Sequence, residues 1–175
     1  RRTDASGPAR LCVVRHHGPG RRKAEHLRAL ATADVVVTTY STVAQDAKSG
    51  DASPDARAGI FAFKWRRVVL DEAHDIKNAS SKSARAVCRL SASCRWALTG
   101  TPIHNKLADM DALFAFLRVA NLSTGSKFAM RVVSAISKGS SAEKKNAVVR
   151  LQGIMGLMCL RRTKETKIND KPIVN

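Results

Sequence analysis

The chain has 175 residues, 44% of them hydrophobic, and carries 31 Lys and Arg against 14 Asp and Glu, a net charge of +17. That apolar content suffices for one core in a domain of about 100–200 residues, which excludes a disordered basic tail. No apolar run approaches the about 18 residues of a spanning helix, which excludes a helical membrane protein, and the charge predicts a polyanionic partner, nucleic acid first.

In chain order, residues 1–10 are polar and basic. Leu11 to Val14 reads as a short buried strand, broken by His16-His17-Gly18-Pro19-Gly20. From Arg21 the spacing of Ala24, Leu27, Leu30 and Ala31 predicts a helix with one inward face. Asp34 to Thr38 reads as a second buried strand, and Tyr40 to Gln45 as the start of a short helix with Ser41 as a cap. Residues 46–59, with Gly50, Ser53, Pro54 and Gly59 among Asp and Ala, predict an exposed loop. Trp65 to Leu70 is the clearest strand. Ser81 to Leu90 is helical with Ala84, Val87 and Cys88 inward, Arg95 to Leu98 is a strand, and Leu107 to Leu117 has helical spacing. After a loop over 120–127, a helix over about 142–160 carries Ala147, Val148, Leu151, Ile154, Met155 and Met158 on one stripe, and Arg161 to Asn175 turns polar and extended. Strands alternating with helices predict an α/β fold with a parallel sheet, whose ligands gather at the carboxyl ends of the strands. The cysteines, Cys12, Cys88, Cys94 and Cys159, lack C-x-x-C or paired His spacing, which argues against zinc and for buried thiols in a reducing compartment.

Val68-Val69-Leu70-Asp71-Glu72 is an apolar strand ending in two acids, the shape of a Walker-B element. A carboxylate fixed there can hold Mg²⁺ through water, and the next can orient an attacking water. A bare acid pair reads equally well as the start of a loop, with Asp71 as a helix cap. Likewise Leu98-Thr99-Gly100-Thr101-Pro102 alone is an ordinary strand-to-helix turn; beside an upstream Asp71-Glu72-Ala73-His74 it reads as a relay between nucleotide hydrolysis and a nucleic-acid track.

Three strings carry a resemblance: Asp71 to Asn78 (DEAHDIKN), Arg95 to Asn105 (RWALTGTPIHN) and Leu160 to Lys164 (LRRTK). With Asp34 to Thr42 (DVVVTTYST) similar to motif Ib and Val14 to Gly18 (VRHHG) similar to the strand before it, the chain resembles the Swi/Snf-type helicase-like ATPases of superfamily two. The tail from Thr163 to Pro172 is similar to the branch containing helicase-like transcription factor. The resemblance implies a RecA-like lobe of the P-loop NTPase type, partial and lacking its first strand and P-loop. It implies a lobe over 1–119 and a helical extension over 120–175. It further implies ATP and Mg²⁺ as cofactors, Asp71 as magnesium ligand, Glu72 as catalytic carboxylate, and His74 as a catalytic-site residue coupled to Thr99, Gly100 and Thr101. Thr38, Thr39 and Tyr40, and Arg161, Arg162 and Lys164, are then expected to face a double-stranded DNA backbone; for the basic trio a solvated helix end is an equal reading.

The function implied is a nuclear DNA-dependent ATPase and duplex translocase in chromatin remodelling or DNA repair. Its partners are chromatin or repair proteins and a second RecA-like lobe, with no membrane. The string G-x-x-x-x-G-K-S/T does not occur, since Gly18 to Lys23 does not match it, so the 175 residues are expected to be a cut from a longer protein, without ATP turnover of their own. A DEAH-box RNA helicase shares four letters, and a degenerate, non-catalytic DNA-binding module is a further alternative.

Overall fold

Two parallel strand pairs, each joined by a helical crossover, form the frame of the computed structural model. The structure describes residues 10–49, 59–101, 109–119, 132–162, 166–168 and 171–172. Strand β1 (Val13–Arg15) leads through a 3₁₀ turn at Pro19–Arg22 and helix α1 (Ala24–Thr32) to β2 (Val35–Val37), which pairs with it in register Val14 to Val36. Helix α2 (Tyr40–Ser49) follows. After a second 3₁₀ turn at Gly59–Ala62, β3 (Lys64–Leu70), a third turn at Ala73–Ile76 and α3 (Lys82–Arg89) lead to β4 (Ser91–Ala97). β3 and β4 run parallel, with Leu70 beside Ala97. Helix α4 (Met110–Leu117) packs on α3 and β4. This is the α/β fold the alternating pattern predicts.

The chain divides into two units, Arg1–Gly125 and Ser126–Asn175. The second holds α5 (Ser134–Lys138), α6 (Ser141–Met158) and an antiparallel pair, β5 (Lys167–Ile168) and β6 (Lys171–Pro172). A capping box starts α6: Ser140 accepts from the Glu143 N–H and the Glu143 carboxylate accepts from the Ser140 N–H. On the expected stripe of α6 only Ala147 is buried; Val148 and Met158 are exposed.

The core of the first unit is made of Leu30, Val43, Ile60, Leu70, Ile76, Val87, Leu90, Leu113 and Phe116, with Ala73, Ala84 and Ala86 between them. Small residues on α3 let it lie close to its neighbours, and Ser81 caps it by accepting from the Ala84 N–H at 3.1 Å. Phe116 is fully buried and carries the Arg95 guanidinium 5.2 Å from its ring centroid.

Several expectations need correction. The strands are buried on one face only: Val14, Val36 and Val68 pack on the core, while Val13, Val35, Val37, Val69 and Trp96 are exposed on the other. On α1, Ala24 and Ala31 are exposed, and Leu30 is the buried residue. Three cysteines, Cys12, Cys94 and Cys159, are exposed, and all four are free thiols. Leu107 and the loop over 120–127 lie outside the described residues. The largest departure is at 46–59. Residues 46–49 continue α2, and Asp46 and Ala47 are buried; residues 50–58 lie outside the described residues. The helix cap is Thr39, whose hydroxyl accepts from the Thr42 N–H at 3.2 Å, two residues before the expected Ser41.

Asp46 is buried because its charge is matched. Its Oδ2 accepts from His16 Nε2 at 2.7 Å, and its Oδ1 accepts from Arg21 Nε at 2.9 Å and from Arg22 at 3.3 Å. His16 is itself fully buried and stands 3.0 Å from His26 through Nδ1. Burial, opposed by the Asp46 hydrogen bond, holds the His16 pKa below its ordinary 6.5. The imidazole is therefore neutral, donating to Asp46 and accepting from His26. Burial pushes the Asp46 carboxyl up, but the His16 and Arg21 hydrogen bonds outweigh this and hold it below 3.8.

Removing the acid would leave the buried His16 without its acceptor and the part-buried Arg21 guanidinium without its counter-charge. Asp46→Ala is expected to destabilise the fold by about 3 kcal/mol in urea unfolding. Both folded-state pKa values lie below their unfolded ones, so the unfolded chain binds more protons and stability falls with pH. The loss begins as pH drops through about 6.5 at His16 and deepens below about 3.8 at Asp46. A urea midpoint lower at pH 5 than at pH 7 is the expected result.

Candidate functional site

The acid pair stands where β3 ends. The ladder continues past both strands: the Leu98 N–H donates to the Leu70 carbonyl at 2.8 Å, and the Ala73 N–H donates to the Leu98 carbonyl at 2.8 Å. Between these bonds the chain must reverse direction at once, and Glu72 takes up φ 46°, ψ 51°, a left-handed conformation. For a residue other than glycine this costs on the order of 1–2 kcal/mol, so its surroundings must hold it. The Asp71–Glu72 peptide is gripped at both ends. Its carbonyl accepts from the Tyr40 hydroxyl at 2.7 Å, and its N–H donates to Asp71 Oδ1 at 3.0 Å. The capping alternative for Asp71 is not met: the residue before the Ala73–Ile76 turn is Glu72, no side chain caps that turn, and Asp71 Oδ1 bonds only its own next N–H.

Asp71 and Glu72 are both exposed, and Glu72 Oε2 lies 3.1 Å from His74 Nδ1. His74 Nε2 is 3.9 Å from Asp75. The short His74–Glu72 approach is not aligned as a hydrogen bond, so it counts as charge proximity. Tyr40 has its pKa pushed up to about 12, by burial first and then by Asp75, Asp71 and Glu72, which keeps the phenol a protonated donor.

The turn after β4 adjoins this corner through the Ala73–Leu98 bond. Within it the Thr101 N–H donates to Thr99 Oγ1 at 3.2 Å, and Gly100 and Thr101 are exposed. Among the described residues the Asp71–His74 segment is bonded beside the Thr99–Thr101 turn through the backbone of Ala73 and Leu98, and His74 Nδ1 makes no hydrogen bond.

The hydroxyls expected to face a partner are each engaged within the protein. Thr38 Oγ1 donates to the His16 carbonyl at 2.8 Å, Thr39 caps α2 and bonds Thr42 at 2.9 Å, and Tyr40 reaches Asp71. Thr38 and Thr39 remain exposed. Arg161 and Arg162 are exposed beyond the end of α6 in the second unit, and Lys164 lies outside the described residues. Sequence reasoning missed the Tyr40–Asp71 bond and the His16–Asp46–Arg21 cluster. Tyr40, the one tyrosine in the chain, lies within the Asp34–Thr42 string and was expected to face DNA; its position at the start of a helix was the available sign of an internal role.

The carboxylates offer hard oxygens, and no described hydrogen bond uses Asp71 Oδ2. Among the described residues no cluster of three or more His, Cys, Asp or Glu forms a metal cage. This donor set fits Mg²⁺, which binds through one or two carboxylates and keeps its waters or takes phosphate oxygens. A Gly-rich phosphate cradle is not among residues 1–175.

Comparison with known proteins converges on one family. A family model described as the SNF2-related domain matches residues 5–171. A putative SWI/SNF-related matrix-associated actin-dependent regulator of chromatin, subfamily A member 3-like 1, from Arabidopsis thaliana is 39% identical over 94% of this chain and 17% of its own length. Helicase-like transcription factor from Mus musculus is 34% identical over 83% of this chain and 14% of its own. The Sulfolobus solfataricus SWI2/SNF2 ATPase core in complex with dsDNA superposes with a TM-score of 0.67 at 32% identity, covering 93% of this chain and 31% of that one. The chain therefore spans less than a third of each of these relatives, and its parallel pairs with flanking helices are RecA-like. Since the match runs unbroken from before the His16–Gly18 turn to the last strand pair, the chain belongs to the SNF2-related domain family.

Proposed function

We propose that the chain supplies the metal- and water-handling part of an ATP-hydrolysing motor that tracks along double-stranded DNA. The observation that carries this reading is the gripped Asp71–Glu72 corner, tied through backbone to the Thr99–Thr101 turn and through Tyr40 to the Thr38–Thr39 segment. Asp71 would hold Mg²⁺, and Glu72 would orient a water for attack on the terminal phosphate. His74 sits beside Glu72 and limits where its carboxylate points. When bound, Mg²⁺ neutralises charge on the nucleotide phosphates. Thr99, Gly100 and Thr101 pass the state of this corner on.

DNA contact falls to exposed hydroxyls and first-turn N–H groups at Thr38 and Thr39, and to Arg161, Arg162 and Lys164, all suited to phosphates rather than base edges. The +17 charge supports the same partner. Completion of the active site calls for a phosphate cradle and a second lobe, neither of which these 175 residues supply. Relatives named for chromatin regulation and DNA repair, among them DNA repair protein RAD5 from Mycosarcoma maydis, favour a nuclear role in those processes.

In the full-length protein, Glu72→Gln is expected to lower DNA-stimulated ATP turnover by at least about 100-fold while ATP still binds, in steady-state and ligand-binding assays. Unchanged turnover would overturn the catalytic assignment. Residues 1–175 are expected to bind duplexes of unrelated sequence alike, with log Kd rising linearly with log salt between about 50 and about 200 mM. A flat salt response would remove DNA from the reading.

A further inference from the structure

Tyr40 was grouped by motif with the DNA-facing segment, yet its hydroxyl is spent elsewhere. It donates to the Asp71 carbonyl at 2.7 Å, 31 residues away in the chain. That carbonyl belongs to the peptide entering left-handed Glu72, and the orientation of this peptide plane fixes the Glu72 φ of 46°. The N–H of the same peptide is held by Asp71 Oδ1. The phenol therefore acts on the one backbone unit that sets the directions of both acidic side chains.

The other end of this lever is equally well held. Tyr40 is the first residue of α2, directly after the Thr39 cap, and its ring packs against the core. Thr38 is tied to the His16 carbonyl. Two turns further along α2, Asp46 is locked to His16 and Arg21. A load on Thr38 and Thr39 cannot be absorbed by loose chain on either side. It reaches the Asp71–Glu72 peptide through a ring with two torsions and one short hydrogen bond.

We infer that Tyr40 is a positioning residue that sets the Asp71–Glu72 turn and transmits to it the state of the Thr38–Thr39 segment. The inference deepens the function proposed above and rests on it. Tyr40 touches neither nucleotide nor metal in this role; it acts through the peptide it holds.

The test is Tyr40→Phe in the full-length protein, assayed beside the unaltered protein and Glu72→Gln. The ring stays, so core packing is kept, and circular dichroism and the thermal midpoint verify the fold. DNA-stimulated kcat is expected to fall about tenfold, with KM for ATP and Kd for duplex DNA each within about twofold of the unaltered protein. Amide exchange of Glu72 and Ala73 is expected to quicken about tenfold, a readout independent of turnover. Unchanged kcat in Tyr40→Phe beside a collapse in Glu72→Gln overturns the positioning role alone. A loss seen in DNA affinity with kcat intact overturns it in favour of a direct phosphate contact. Absence of turnover in the unaltered protein overturns the hydrolase reading and this coupling with it.

Discussion

A single buried carboxylate organises the first unit. Asp46 takes hydrogen bonds from His16 in the turn after β1 and from Arg21 in the 3₁₀ turn, and His16 in turn meets His26 on α1. Three segments that share no strand or helix are thereby fixed to α2. Burying a charge is unfavourable unless its partners are in place, so the cluster forms as a whole or not at all. Its main product is positional: α2 cannot roll or slide, and the residues at its start are delivered to one place.

That place is the end of β3. A left-handed glutamate is stable there only because bonds on both sides over-determine it. The Leu98 carbonyl just past β4 holds Ala73 behind it, and Tyr40 with the Asp71 carboxylate holds the peptide in front. The chemistry of the corner thus depends on two long-range connections, one across the sheet and one from the helix following β2. Both connections are made to backbone groups of this segment, and neither uses the Asp71 or Glu72 carboxylate. The carboxylates stay accessible while their backbone is immobilised.

Much of this was legible in the residues. Val68-Val69-Leu70 followed by two acids announces a strand end, and Thr99-Gly100-Thr101 announces the turn beside it, because apolar runs and punctuating residues are local signals. Asp46 was not legible. It lies next to a stretch rich in Ala, Ser, Gly and Asp whose composition signals a loop, and nothing local marks a carboxylate whose partners lie 25 and 30 residues upstream. The spacing of Tyr40, Val43 and Ala47 was the available clue to a longer helix. The one-sided strands were illegible for a similar reason: Val13, Val35 and Val37 read as buried in any local window, and only the packing shows which face is covered.

Those open strand faces bear on how the polypeptide behaves in solution. Val13, Val35 and Val37 on one pair, and Val69, Trp96 and Leu98 on or just past the other, place apolar surface on strand backbone, which is the kind of surface on which chains associate. Along the second pair cations interrupt it: Arg66 and Arg67 are exposed on β3, and the Arg67 guanidinium lies over the Trp96 ring. Mutual repulsion between molecules bearing +17 charges adds to this protection. Added salt then has two effects on the isolated polypeptide, because the ions that loosen its hold on a polyanion also remove the repulsion that keeps its copies apart.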